Sequence, residues 1–305
     1  MLIVFGATGF IGRALQVALR ARGAPYFGVG TTTCVWNDGD ASLHREVSSL
    51  GERASILQEL PTPGAVVFAA GTAVTSTRAE VLRASHLGSL AAAFQIIPRV
   101  WWDGMPFVYT SSCTVYQRLS PPRPLVESDP VAAHSAYAEV KLLCEEFLRK
   151  SMAGVGGCAV VARLFNVSGR GQRAGIVHEI AQQAIEIRSG RRSTFHLRTN
   201  EPILDVIDVN EAAHGLLALA ETPRLPAIVN VCSGRPVTTE DLISAARRAV
   251  GCDVEVGYDV ETDRRHMLVG NPDLMTAGTG WRAHRSIDQI VADVISGAST
   301  TEVAA

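Results

Sequence analysis

The chain opens on a short apolar run and three evenly spaced glycines, in the order Leu2-Ile3-Val4-Phe5-Gly6-Ala7-Thr8-Gly9-Phe10-Ile11-Gly12. Apolar residues then recur with helical spacing over 11–22, and Gly23 ends the pattern. A strand, a glycine turn and a helix in this order are typical of a dinucleotide-binding unit, because glycines let the backbone approach a pyrophosphate and the helix N-terminus attracts its charge. We therefore predict a dinucleotide cofactor at this turn.

Apolar runs and helical stretches alternate along the first half of the chain. The short runs predict strands, and the longer periodic stretches predict helices. The predicted strands cover 2–5, 25–29, 43–47, 65–70, 107–110 and 159–165, and the predicted helices cover 11–22, 79–97 and 137–151. This alternation favours an α/β fold of the Rossmann type, a doubly wound parallel sheet with its ligand at the carboxyl ends of the strands.

The second half of the chain is less regular. A helix is predicted over 176–188 and a polar, Arg-rich loop over 189–200, and short mixed elements follow. Residues 1–166 are predicted to form the dinucleotide-binding domain, to which residues 203–232 return. The remaining residues, 167–202 and 233–300, are predicted to form a smaller, mixed α/β substrate-binding lobe.

The composition describes a globular chain with small-molecule chemistry. Its 305 residues are 47% hydrophobic and 19% charged, enough for one large domain or two modest ones. The formal net charge of −2 gives no electrostatic reason to expect nucleic acid, and no apolar stretch is long enough to predict a membrane span. The six cysteines are scattered singly, which predicts a reducing, cytoplasmic location and no metal site.

The end of the second predicted strand bears on the choice of cofactor. Folds of this kind that use NAD often place a carboxylate there, against the ribose 2′-hydroxyl. Here the sequence reads Gly28-Val29-Gly30-Thr31-Thr32-Thr33, with hydroxyls instead, and the nearby Arg13 is a cation that suits a 2′-phosphate. We therefore expect NADP(H) rather than NAD(H). The residues predicted to bind it in this half of the chain are Gly6, Thr8, Gly9, Phe10, Ile11, Gly12, Arg13, Thr31, Ala69 and Ala70.

A tyrosine and a lysine stand four residues apart, in Tyr137-Ala138-Glu139-Val140-Lys141. This spacing puts both side chains on one face of the predicted helix, and Lys141 is one of only two lysines in the chain. A phenol, with a pKa near ~10, is a poor acid or base at neutral pH unless a fixed positive charge stabilises its phenolate. We predict that Tyr137 is the catalytic acid/base and that Lys141 lowers its pKa.

Hydroxyl groups follow the strand predicted over 107–110, in the segment Tyr109-Thr110-Ser111-Ser112-Cys113-Thr114. The carboxyl end of a parallel strand faces the ligand, so the Ser112 hydroxyl is predicted to bond the substrate oxygen that Tyr137 protonates. The motif of Cys113 contains no histidine, and a packed thiol is therefore favoured over a nucleophile.

Taken together, the glycine motif, Ser112, Tyr137 and Lys141 resemble the extended short-chain dehydrogenase/reductases, in the NAD-dependent epimerase/dehydratase branch that acts on nucleotide sugars. The spacing of 25 residues from Ser112 to Tyr137 is like that of the sugar 4-epimerases. The segment Arg163-Leu164-Phe165-Asn166-Val167-Ser168-Gly169 is similar to the family's Arg-Leu-Phe-Asn-Val-Tyr-Gly. The resemblance implies that Tyr137 and Lys141 also contact the cofactor, with Lys141 on the nicotinamide ribose, that Asn166 approaches a sugar diphosphate, and that the chain forms a homodimer.

Departures from the family pattern narrow the expected activity. Cys113 and Thr114 occupy the positions where the dehydratases carry acidic residues, so the proton-transfer groups for dehydration and decarboxylation are missing. Glu201-Pro202 stands where the family usually shows Arg-Asp, and arginines of the second lobe are expected to substitute on the diphosphate. The predicted substrate-binding residues are Thr114, Asn166, Arg198 and Arg264.

The residues thus favour an NAD(P)-dependent ketoreductase of a nucleotide-linked 4-keto sugar, with a 6-deoxy sugar expected. A nucleotide-sugar 4-epimerase with tightly bound NAD uses the same residues and stays open as an alternative. The missing carboxylate after the second strand counts against a permanently held NAD. A non-catalytic nicotinamide-binding protein on the same fold is a third possibility, against which the intact Tyr/Lys pair counts.

Overall fold

The computed structural model describes residues 1–38, 42–72, 78–222, 224–261 and 266–302 of the chain. The strands are β1 (Leu2–Phe5), β2 (Tyr26–Val29), β3 (Thr33–Asn37), β4 (Ser42–Glu46), β5 (Ala65–Phe68), β6 (Pro106–Ser112), β7 (Cys158–Leu164), β8 (Asn166–Ser168), β9 (Phe195–Thr199), β10 (Pro202–Leu204), β11 (Val206–Asp208), β12 (Ile228–Val231), β13 (Val237–Thr238), β14 (Val256–Val260) and β15 (His266–Leu268). The α-helices are α1 (Phe10–Ala21), α2 (Leu50–Glu59), α3 (Ala79–Arg83), α4 (Ser89–Ile96), α5 (Ala136–Val155), α6 (Ile176–Arg188), α7 (Val209–Glu221), α8 (Thr239–Val250), α9 (Asp273–Thr279) and α10 (Ile287–Glu302).

The main sheet has the strand order β12-β7-β6-β5-β1-β2-β3-β4. All neighbours from β12 to β2 are parallel, and helices cover both faces, which confirms the predicted Rossmann-type doubly wound fold. The parallel arrangement does not extend to β3 and β4, which form antiparallel pairs. The sequence prediction missed β3 and was wrong in treating 43–47 as a parallel strand. The connections here are too short for the crossover that a parallel pair requires.

The strand order reverses direction between β1 and β5. The chain passes from β1 to β2 on one side and later returns to β5 on the other side of β1. Doubly wound sheets bind their ligands in the crevice at the carboxyl ends of the strands beside such a reversal. The glycine turn after β1 and the segment Ala69–Ala70 after β5 both lie there.

The second lobe has its own apolar core, in which α6, α8 and α10 pack together. β9 runs through the segment that the sequence predicted to be a loop, so that prediction was wrong. Phe195 and Leu197 on this strand are buried, whereas His196 and Arg198 are exposed. This alternation is that of a strand with one buried face, but the surrounding polar residues obscure it in the sequence.

Part of the second half of the chain packs on the main sheet. α7 packs against α1, and β12 pairs with β7 at the edge of the sheet. The predicted domain boundaries remain a prediction. Within the described ranges, no helix combines the length and hydropathy that a bilayer crossing requires.

Candidate active site

The glycine turn forms a close-packed cradle at the N-terminus of α1. A Cβ atom at Gly12 would lie 2.0 Å from the Gly6 carbonyl oxygen, and one at Gly6 would lie 2.6 Å from the backbone of Ala69 and Ala70. Gly6 also has a φ of +80°, in the left-handed region that favours glycine. Gly9 and Thr8 are exposed at the tip of the turn. A backbone this bare, beside a helix N-terminus, fits the pyrophosphate of a dinucleotide.

A cavity of about 430 Å³ lies next to this turn. Six of the predicted cofactor-binding residues line it, namely Phe10, Ile11, Ala69, Ala70, Tyr137 and Lys141. The three predicted catalytic residues and two predicted substrate-binding residues line the same cavity, namely Ser112, Tyr137, Lys141, Thr114 and Asn166. The structure therefore brings residues from distant parts of the chain to one site, at the carboxyl ends of β5 and β6.

Hydroxyl groups form a short chain along the wall of the cavity. Ser112 ends β6, and its Oγ accepts hydrogen bonds from the Thr114 hydroxyl at 3.0 Å and from the Thr114 backbone N–H at 3.2 Å. The Ser112 hydroxyl is also close enough to the phenol of Tyr137 to lower its pKa, against the effect of burial. Tyr137 is placed by the start of α5, where Ser135 caps the helix by accepting from the Ala138 N–H.

Lys141 lies one turn further along α5 and is buried. Its ammonium donates a hydrogen bond to the carbonyl oxygen of Thr110 at 2.8 Å. The same nitrogen lies 5.2 Å from the ring centre of Tyr109 and 5.7 Å from that of Tyr137, within reach of a cation–π attraction to both rings. Burial lowers the pKa of Lys141 to about 8.

The net pKa of Tyr137 is raised in this structure, although Lys141 was predicted to lower it. Burial raises the pKa of Tyr137 to about 12, against the opposing hydrogen bond from Ser112. Desolvation of the phenolate raises the pKa of Tyr137 by more than the neighbouring groups lower it. Tyr137 is consequently a protonated phenol at neutral pH, the form that donates a proton.

A buried ion pair lies behind the face of α5 that carries Tyr137 and Lys141. Arg163 on β7 donates to Glu145 on α5 at 2.8 Å, and both side chains are nearly inaccessible to solvent. Ser111 donates a hydrogen bond to the same carboxylate, and the Arg163 guanidinium lies 4.7 Å from the ring centre of Tyr116. These contacts link α5 to β6 and β7 beside the residues that line the cavity.

His86 is a cavity residue to which the sequence assigned no role. It lies in a π-helical turn, Ala84–Gly88, that separates α3 from α4. Its Nε2 is 2.9 Å from the Thr72 carbonyl oxygen, and its ring meets the Tyr137 ring edge-on, with the centres 5.5 Å apart. Burial lowers the pKa of His86 to about 4, so the ring is neutral beside Lys141. A π-turn often marks a functional site, but nothing in the local sequence reveals it.

A second cavity, of about 160 Å³, adjoins the first at Ala70. It is lined by Gly6, by Thr31 at the end of β2, and by Arg53 on α2. Arg53 donates a hydrogen bond to the Thr31 carbonyl oxygen. Arg13 is oriented differently, because its guanidinium donates to the Thr8 carbonyl at 2.6 Å and approaches Gly171 of the second lobe.

The predicted substrate-binding residues Asn166, Arg198 and Arg264 are not brought to the cavity as a group. Asn166 lines it and donates to the Asp205 carbonyl oxygen at 2.9 Å. Arg198 is exposed on β9 and is not a lining residue, and Arg264 lies outside the described residues. The first turn of α6, with Gly175 and Ile176, lines the cavity instead. The sequence predicted this helix over 176–188 but gave its N-terminus no role in the site.

Comparison with known proteins places the site in a family context. The pattern of the NAD dependent epimerase/dehydratase family matches residues 2–232. The GDP-6-deoxy-D-mannose reductase of Pseudomonas aeruginosa is 27% identical over 97% of this chain and 96% of its own length. The dTDP-6-deoxy-L-talose 4-dehydrogenase (NAD(P)(+)) of Kitasatospora kifunensis is 24% identical over 99% of this chain and 96% of its own.

A solved structure shares the whole fold. The structure of RMD from Pseudomonas aeruginosa complexed with NADPH superposes with a TM-score of 0.82 and 23% identity, and covers 98% of this chain and 99% of its own. At that identity the likeness concerns the arrangement of the elements. It agrees with the doubly wound sheet and the second lobe described above.

Proposed function

The chain belongs to the NAD dependent epimerase/dehydratase family, and we propose that it is an NAD(P)-dependent ketoreductase acting on a nucleotide-linked 4-keto sugar, with a 6-deoxy sugar expected. The observation that carries this proposal is the chemistry of the large cavity. Ser112, Tyr137 and Lys141 converge there, and no Asp or Glu stands among the described residues that line it. Carbonyl reduction needs a proton donor and a charge to stabilise the donor's anion, whereas dehydration needs a further acid/base pair.

The relatives support the same reading. One is named as a reductase and the other as a 4-dehydrogenase of nucleotide-linked 6-deoxy sugars, and both align along nearly their whole length. A reductase and a dehydrogenase of this type catalyse the same interconversion in opposite directions. The shared chemistry is hydride transfer at a sugar carbon that bears oxygen.

Each cavity residue has a separate role in the proposed reduction. When bound, the reduced nicotinamide supplies a hydride to the keto carbon. Ser112 donates a hydrogen bond to the carbonyl oxygen and orients it, and Tyr137 transfers its phenolic proton to that oxygen as negative charge develops. Lys141 lies beside the new phenolate and offers it a positive charge. The same side chain would hold the nicotinamide ribose when the cofactor is bound. Asn166, Thr114 and the first turn of α6 are proposed to face the sugar diphosphate.

We further propose that NADP(H) is preferred to NAD(H). The end of β2 carries Thr31 and no carboxylate within the residues that line the adjoining cavity. A carboxylate would favour the ribose hydroxyl of NAD and repel a 2′-phosphate. The proposed homodimer rests on the family resemblance alone.

The experiment combines turnover with analysis of bound nucleotide. Purified protein is incubated with NADPH and a panel of nucleotide-linked 4-keto-6-deoxy sugars, and the products are identified by mass spectrometry. A product heavier by two hydrogens, formed with equimolar loss of NADPH, supports the ketoreductase. If the denatured protein instead releases tightly held NAD, and nucleotide-linked 4-hydroxy sugars supplied in place of the keto sugars are inverted at C4 without net oxidation of NADPH, the 4-epimerase replaces it.

A further inference from the structure

The smaller cavity has the features of an adenosine site with a charged edge. Val29, Phe68, Ala93 and Ile96 give it apolar walls suited to a purine base. Gly6 places the same cavity beside the glycine turn. This reading rests on the proposed function, which brings a dinucleotide to the turn and leaves its adenosine half on this side.

Arg53 is the cation at the edge of this cavity. It extends from α2 and donates through Nη2 to the carbonyl oxygen of Thr31, so the guanidinium is held at the end of β2. Its Nε is buried and has no hydrogen-bond partner among the described residues. A guanidinium keeps its charge at any working pH and offers several donors to a phosphate.

The carboxylate next to Arg53 in the sequence already has other partners. Glu52 accepts from the Ser48 backbone N–H at 2.9 Å, and its other carboxylate oxygen lies 3.6 Å from the guanidinium of Arg45. Its oxygens are therefore engaged by Ser48 and Arg45. The single Glu52 carboxylate is thus shared between Arg45 and Arg53 and does not neutralise both.

We infer that Arg53, together with Thr31, binds the 2′-phosphate of the cofactor's adenosine and thereby sets the preference for NADP(H). The sequence pointed to Arg13 for this task. Arg13 does not line the smaller cavity, and its guanidinium bonds the Thr8 carbonyl and approaches Gly171. The cation that contacts the 2′-phosphate is therefore on α2 and not on α1, the helix that follows the glycine turn.

The inference is tested by equilibrium binding, which needs no turnover. Dissociation constants are measured for NADPH, NADH and adenosine 2′,5′-bisphosphate, a probe that carries the 2′-phosphate and no nicotinamide. The variants are Arg53→Gln, Arg13→Gln and Arg45→Gln, and thermal unfolding shows whether each is folded. Glutamine at position 53 retains an N–H donor for the Thr31 carbonyl while it removes the charge.

The expected result is selective. Arg53→Gln weakens binding of NADPH and of the bisphosphate by about 10- to 100-fold, the usual effect of losing a charged hydrogen bond, and changes NADH binding little. Arg13→Gln and Arg45→Gln leave the ratio of NADPH to NADH affinity near that of the unaltered protein. The inference alone is overturned if the protein binds NADPH and Arg53→Gln keeps the ratio, or if Arg13→Gln abolishes it. A protein that binds neither dinucleotide overturns the proposed function as well.

Discussion

The ammonium nitrogen of Lys141 lies 5.7 Å from the ring centre of Tyr137, one turn along the same helix. It is shielded from water and is stabilised by the Thr110 carbonyl and by two tyrosine rings. Burial keeps Tyr137 protonated before the reaction, because its pKa is raised to about 12. Proton donation creates a phenolate next to this ammonium. The pair is therefore arranged to stabilise the state that follows proton transfer.

Replacement of Tyr137 by phenylalanine removes the proposed proton donor and keeps the ring that packs against His86. We expect kcat to fall by about 10²- to 10⁴-fold, the usual contribution of a general acid, with NADPH affinity little changed. Tyr116→Phe is the matched control, because its hydroxyl bonds Asn230 and the residue does not line the cavity. A Tyr137→Phe enzyme with most of its turnover intact would contradict the assignment.

The rate should depend on pH through Lys141. Its pKa of about 8 leaves the side chain charged below that pH and neutral above it, so stabilisation of the Tyr137 phenolate is lost as the pH rises through about 8. We expect kcat/KM, which reports the free enzyme, to fall on that alkaline side. The Lys141→Arg variant should keep a positive charge at this position and show no fall of kcat/KM on the alkaline side. An unchanged profile through this range in the unaltered enzyme would refute the role given to Lys141.

The buried ion pair should dominate the stability of the catalytic helix. Glu145→Gln leaves the Arg163 guanidinium buried without its counter-charge, and we expect the free energy of unfolding to fall by about 3–5 kcal/mol. The next residue offers the control, since Glu146 pairs with Arg149 and Lys150 on the exposed face, where solvent screens the charges. Urea denaturation of both variants measures the difference. Equal, small losses would show that the pair contributes little.

The cysteine beside the catalytic serine should be chemically inert. Burial raises the pKa of the Cys113 thiol to about 12, so almost no thiolate is present at neutral pH. Cys158 is exposed at the start of β7. We expect iodoacetamide to label Cys158 and to spare Cys113, and Cys113→Ser to retain turnover. Inactivation that follows labelling of Cys113 would restore the nucleophile hypothesis.

The sequence predicted those elements whose pattern is complete within a short stretch of the chain. The glycine turn, α1, α5 and α6 were found because helical spacing and glycine punctuation are readable within a dozen residues. β3 was missed because it buries adjacent residues, Cys34 and Val35, and shows no alternation, and β9 was missed because its short alternation is flanked by polar residues. The orientation of β4 was missed for a different reason, since strand direction follows from the length of the connections.

The sequence by itself determined the fold family and the pair proposed to react, because the spacing of Tyr137 and Lys141 puts both on one helix face wherever that helix lies. Only the tertiary structure decided which other residues line the two cavities. His86 and Arg53 reach the cavities from helices that no local motif connects to the glycine turn. It also decided the direction of the pKa shift of Tyr137, because the cost of losing water depends on everything that packs around the phenol.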